Sequence, residues 1–267
     1  MYKIVGFIAG FKVVRLVLVI FGLLTFLSVA RVGIAANADQ VKKLLDLKQC
    51  EKCDLRDAVL KKADLQRAEL DYVYLEKADL EGADLSFAQM DEVHLSFVKA
   101  SGANFKMAYI HHSEFDDAVF DNAIFRGADL GKGELRRVKA SNADFSNAKL
   151  KYTKWANSTL VKTNFQSAVL HMANFEYTNL EGANFQDADL WEANFLGANL
   201  ADANFRNANL QNARFTKSQL KGANFKGADL AYIEQNTNTS YGSNSGIKCK
   251  ELIDAGAIVD DTTKCRK

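Results

Sequence analysis

The chain has 267 residues, 34 basic against 33 acidic side chains, a formal net charge of +1, four cysteines and no proline. So balanced a charge gives no electrostatic footprint for direct nucleic-acid binding. At average usage near 5% a chain of this length would carry about 13 prolines, and their absence points to a fold in which nearly every backbone N–H is needed as a donor.

Residues 1–38 read as an export signal. Lys3, Lys12 and Arg15 precede the apolar run LVLVIFGLLTFLSVA at 16–30, and Ala36 and Ala38 form an A-x-A arrangement. The alternative is an uncleaved signal anchor, for which Arg31 and the long leading segment speak; the membrane is then touched only through this N-terminal segment. Three basic residues before the run against Arg31 after it direct the remainder out of the cytoplasm in either case. The expected location is therefore extracytoplasmic, in a bacterial periplasm or a thylakoid lumen. Residues 39–52 follow as an N-terminal cap, with Val41, Leu44, Leu45 and Lys48 at helical spacing behind Asp39 as the N-cap.

Residues 53–230 repeat every five positions. From Leu55 to Leu230 that step lands on 36 residues, of which 19 are Leu and 12 are Phe; two residues before each, 24 of 36 are Ala. An α-helix turns about 500° over five residues and cannot gather such positions into a stripe. A straight strand sends alternate ones to opposite faces. The pattern closes if the chain turns a corner every five residues, making four-sided coils of twenty residues stacked at strand spacing. Nine such coils form a rod about 43 Å long at about 4.8 Å per coil.

Each unit then points one small and one large side chain inward. From Phe145 to Leu230 the large position alternates aromatic and Leu, with Trp155 replacing one Phe, which puts Phe165, Phe185, Phe205 and Phe225 in one column. The tetrapeptide VKAS occurs at 98–101 and at 138–141, two whole coils apart. There Val98 and Val138 fill the small site while Ala100 and Ala140 vacate the large one, which conserves volume.

The A(D/N)LXX pattern, as in Ala83-Asp84-Leu85 and Ala198-Asn199-Leu200, resembles that of the pentapeptide repeat family. The resemblance covers residues 53–230 and implies an all-β fold, a right-handed quadrilateral parallel β-helix of about nine four-sided coils, here with short α-helical caps at both ends. Departures cluster between 89 and 162, where His94, Lys99, Tyr109, Val119, Ile124 and Lys139 replace the Asp or Asn. The resemblance also implies a possible function, since some members imitate double-stranded DNA in outline and charge and bind DNA gyrase. That role needs an acidic surface and a cytoplasmic address. Residues 131–175 instead carry 2 acidic against 8 basic side chains, a basic waist comprising Lys132, Arg136, Arg137, Lys139, Lys149, Lys151, Lys154 and Lys162.

Residues 231–246 form a polar linker and 247–267 a C-terminal cap, in which KCKELIDAGA makes a short amphipathic helix. Helical caps answer a physical need, because an open solenoid end exposes unpaired strand edges. The cysteines sit in these caps. A four-cysteine zinc site is excluded by the rod, because about nine coils separate the pairs while zinc reaches only about 2.3 Å to each sulfur. In an oxidising compartment Cys249 and Cys265 form a structural disulfide worth about 3 kcal/mol in the chain-entropy model. For Cys50 and Cys53 three readings stand: a buried thiol, a local disulfide, or half of a redox pair.

Leu and Phe fill the rod, so any activity lies on its surface. No residue is assigned a catalytic, cofactor-binding or metal-ligating role. Gly131-Lys132-Gly133 lacks the spacing of a phosphate loop, and His111 and His171 stand three coils, about 14 Å, apart. His94, Glu114, Glu134 and Lys154 fall in one column, where they could hold a metal ion or neutralise one another; the neutral ladder is the simpler reading. The function expected is a non-enzymatic extracytoplasmic scaffold or protein-binding rod with an unknown protein partner and no nucleic acid. Its partner surface would use His94, Glu114, Glu134, Arg136, Arg137, Lys139 and Lys154. Inhibition of DNA gyrase by charge mimicry is the second reading, and a carbohydrate-acting β-helix enzyme the third.

Overall fold

The computed structural model describes residues 37–231 and 247–265. The export signal read over 1–38 thus lies, but for its last two residues, outside the described residues, as does most of the linker.

Four parallel ladders, one on each side of the coil, run through the repeat, pairing residue i with i+20 from Gln49 with Glu69 to Asn209 with Asp229. Each unit consists of a two-residue turn, an inward small residue, an outward bridging residue and an inward large one. Residues 65–69 show why the chain needs every N–H. Leu65 and Arg67 donate across to the carbonyls of Asp84 and Ser86, and Glu69 donates back to Lys48. Ala68 closes the turn onto the carbonyl of Leu65, and Gln66 donates to Asp64 Oδ1. All five donors are placed, and a proline would orphan a carbonyl at four of these five positions.

The same accounting explains the Asp or Asn of the repeat. Its side-chain oxygen accepts the N–H two residues on, as an Asx turn, and its amide can reach the neighbouring coil. Asn184 Nδ2 donates to Asn164 Oδ1 at 3.0 Å and Asn204 Nδ2 to Asn184 Oδ1 at 2.9 Å, which builds a ladder of amides. Where the repeat loses that residue, the preceding coil can supply the acceptor. The bridging positions 89, 134 and 139 are Gln, Glu and Lys, and the orphaned N–H groups of Asp91, Arg136 and Ser141 go to the carboxylates of Asp71, Asp116 and Asp121.

The second turn residue of each unit lies in the left-handed region, for example Arg67 at φ 58°. At two of these corners glycine also makes room for a neighbour. A Cβ on Gly127 would meet the sulfur of Met107 at 2.5 Å, and one on Gly197 the ring of Tyr177 at 2.6 Å.

The inward columns are buried, with only Ser218 among them half-exposed. Phe165, Phe185, Phe205 and Phe225 stack with centroid spacings of 4.9, 5.0 and 4.9 Å, and the column begins earlier, at Phe105, through Phe125 and Phe145. The opposite column of Trp155, Phe175, Phe195 and Phe215 meets it edge to face, the arrangement ring quadrupoles favour. Trp155 keeps its indole N–H satisfied by donating to Thr153 Oγ1 at 2.8 Å.

The register also gives a second reason for Ala100 and Ala140. Both flank Phe120 in a column otherwise occupied by Leu, with Leu80 and Leu160 next in line, and the Phe120 ring packs edge-on against Phe105, Phe115 and Phe125. A ring in a leucine column requires its stacked neighbours to shrink.

Both ends are covered. Helix α1 (Ala38–Leu47) presses Val41 and Leu44 onto the first coil. Its N-cap is Asn37, whose side chain accepts from Asp39 and Gln40, so the helix begins ahead of the expected Asp39 cap; Lys48, read as helical, ends it in the left-handed conformation. Asn37 wins because it stands two and three residues before the free N–H groups it binds. Cys50 and Cys53 are joined in a disulfide beneath this helix. At the far end α2 (Cys249–Asp254) buries Leu252. The chain after it continues the ladder, with Ile258 pairing with Asn224 and Lys264 with Asp229. A disulfide between Cys249 and Cys265 ties that segment together.

Candidate functional site

The coil places His94, Glu114, Glu134 and Lys154 on consecutive bridges. His94 stacks on Tyr74 with ring centroids 4.9 Å apart and sets Nδ1 3.2 Å from Glu114 Oε2. Lys154 Nζ lies 2.6 Å from Glu134 Oε1, and the Arg136 guanidinium pairs with the same carboxylate. Around the adjoining corner Arg136 reaches Asp116, while Arg137 grips Asp117 with two bonds of 2.9 and 2.7 Å. Lys139 does not join them. It lies on the next side of the coil, bridging Val119 and Thr159, with no ion pair among the described residues.

These contacts fix the charges. The hydrogen bond from Lys154 holds the Glu134 carboxyl below its ordinary range against the opposing effect of burial, with Arg136 adding to it. The bond from Arg137 does the same for Asp117. Lys149 likewise lies 3.5 Å from Asp129. Half of the basic waist is therefore neutralised by carboxylates, mostly of the preceding coil; Lys132, Lys139, Lys151 and Lys162 remain without an ion pair among the described residues.

Spacing alone overlooks a second surface feature. Tyr72, Tyr74, Phe87, Phe97, Met107, Tyr109 and Ile124 are all exposed, and Phe87, Phe97 and Met107 each leave about half their surface in water. Phe87, Phe97 and Met107 occupy the second turn position at φ near 60°, where an aromatic or Met gains nothing from the core. That position is the signal the sequence offers, because large apolar residues there cannot be core residues.

A shallow dent of about 280 Å³ lined by Asp54, Arg56, Asp57, Glu76 and Lys77 is partly closed by the ion pair between Arg56 and Asp54. Among the described residues no helix is long and apolar enough to cross a membrane.

Comparison with known proteins gives the family. The profile of pentapeptide repeats (8 copies) matches residues 49–86, 68–106, 88–127 and 103–139, and that of the pentapeptide repeat region matches 162–235. No curated protein matches the chain in sequence. Among solved structures, the chain is similar to a pentapeptide repeat protein of the Arabidopsis thaliana thylakoid lumen, at 36% identity over 36% of this chain and 68% of that one, with a TM-score of 0.34. It is also similar to HetL of the cyanobacterium Nostoc, a protein involved in regulating heterocyst differentiation, at 24% identity over 67% and 88% of the two chains, TM-score 0.32. QnrB1, a plasmid-mediated fluoroquinolone resistance protein, aligns at 20% identity over 72% and 84%, TM-score 0.38. With the two profiles together spanning more than half of its length and the five-residue unit unbroken through the ladder, the chain belongs to the pentapeptide repeat family.

Proposed function

We propose that this protein is a non-enzymatic, extracytoplasmic rod of nine coils with helical caps that binds another protein through its outer surface. The observation that carries the reading is the contrast between inside and outside. The interior is filled by buried Leu, Phe and Ala, while Tyr72, Phe87, Phe97 and Met107 stand exposed on turns where they contribute nothing to the core. Exposed aromatic and Met side chains are the residue types enriched where proteins meet. The charged edge of His94, Glu114, Glu134, Arg136, Arg137 and Lys154 lies on neighbouring coils and would set orientation more than affinity.

The address is supported by the basic and apolar leader of the sequence and by cysteines paired at both ends of the rod, since disulfides persist in oxidising compartments. Gyrase inhibition by charge mimicry remains the weaker reading, because the basic waist interrupts any acidic surface. A photoreactive phenylalanine at Phe87 provides the test, because Met107 stands one coil on at the same corner. One discrete crosslinked protein, lost when Met107 is changed to Ser, is the expected outcome. A clean absence of adducts at positions 87 and 107 in the native compartment contradicts the proposed surface.

A further inference from the structure

One corner of the rod breaks the capping rule. Asp71, Asp116 and Asp121 each accept the N–H of the residue one coil on. Asp91 holds the same place in its unit, yet its Oδ1 is buried and receives no hydrogen bond. An unmet carboxylate oxygen is costly unless positive charge faces it. What faces it is a pair of imidazoles. His112 Nδ1 lies 3.5 Å from Asp91 Oδ1, a separation at which only a weak ion pair forms and only when the ring is protonated. His111 Nδ1 lies 3.3 Å from His112 Nδ1. The three donor atoms stand within 4.8 Å of one another.

Those spacings have a chemical meaning. Four ligands bound tetrahedrally at about 2.0–2.1 Å stand about 3.3 Å from each other, so two of the three separations already match the edges of such a tetrahedron. His111 is also held from behind. Its Nε2 is 3.4 Å from Asp129 Oδ1 and its ring stacks on Tyr109. The nearby Asp129 carboxylate favours the tautomer with its proton on Nε2, which leaves Nδ1 as the free lone pair, the sense in which carboxylates orient metal-binding histidines. Gly131 makes the ring's position possible, since a Cβ there would come within 2.3 Å of Nε2.

We propose that Asp91, His111 and His112 bind a divalent transition metal of the zinc class, bracing two successive coils, with Asp129 orienting His111 and solvent completing the coordination. Two imidazoles and one carboxylate favour zinc, nickel or copper over calcium and magnesium, which prefer oxygen donors. The half-exposed His112 leaves a face open to water. Column-wise reading of the sequence puts Asp91 and His111 in one column but leaves out His112, 21 residues from Asp91 and one off the twenty-residue register.

Calorimetric titration of zinc chloride into the metal-free full-length chain tests this. One equivalent should bind, His111→Ala and Asp91→Asn should each weaken binding by about tenfold or more, and Asp129→Asn by about tenfold, the usual loss for an orienting group. Gly131→Ala should weaken it too, with every ligand still present, and His94→Ala should leave it unchanged. Should His111→Ala fail to fold, the isosteric Asp91→Asn decides the same question. No uptake by the parent at millimolar zinc, or one-to-one binding that survives both ligand substitutions, overturns the assignment.

Discussion

Phe165 and Phe185, twenty residues apart in sequence, lie face to face with ring centroids 4.9 Å apart and only 4° between their planes. Each ring is a spacer for the next, so coil pitch and side-chain stacking are set together. Phe185→Ala opens a void in the middle of that column, where backbone bonded on both sides cannot collapse. A loss of about 3–5 kcal/mol follows for a truncated buried Phe, measurable as a lowered urea midpoint and melting temperature.

Phe120 and Ala140 make a sharper test, because their sizes are matched across coils. Ala140→Leu overpacks the column by about 1–3 kcal/mol. Adding Phe120→Leu should recover most of that loss, so a double-mutant cycle should show favourable coupling. Simple additivity would count against the matched packing.

Ser158 caps a neighbour in place of the usual turn bond. Its Oγ accepts the N–H of Val138 at 3.1 Å and donates to the carbonyl of Leu135 at 2.9 Å. Ser158→Ala strands a buried N–H, a cost of about 1–3 kcal/mol visible in chemical denaturation, although the substitution restores the Ala of the repeat.

The pH dependence follows from carboxylates held below their ordinary range. Hydrogen bonds from Arg137 and Lys154 depress Asp117 and Glu134, and at Asp144 the bonds from Ser146 and Arg126 outweigh the opposing, larger effect of burial. A depressed carboxyl contributes stability that is complete above its unfolded value, near 4, and lost as pH falls through the folded one. Urea midpoints should therefore stay level on this account above about pH 5 and fall below about pH 4.

Much of this is legible in the sequence because the five-residue frame never slips. The run from Leu55 to Leu230 dictates which side chains turn inward, and the twenty-residue pitch follows from closing four corners. The compensation of Gln89, Glu134 and Lys139 by Asp71, Asp116 and Asp121 is not legible, since it depends on which way a carboxylate bends between coils. The cluster of Asp91, His111 and His112 is hidden for the same reason: Asp91 and His111 share a column, but His112 joins them from one residue off the register by side-chain direction, which spacing does not give. Asn37 escapes notice because in sequence it belongs with the export segment, while in space it belongs with the helix it caps.

The proposed role rests on where the chain resides, and alkylation of its thiols in intact cells tests that most directly. If the rod is exported, Cys50, Cys53, Cys249 and Cys265 should all resist a thiol reagent until a reductant is added, in material recovered outside the cytoplasm. Chains found in the cytoplasm with their four thiols freely labelled would contradict it.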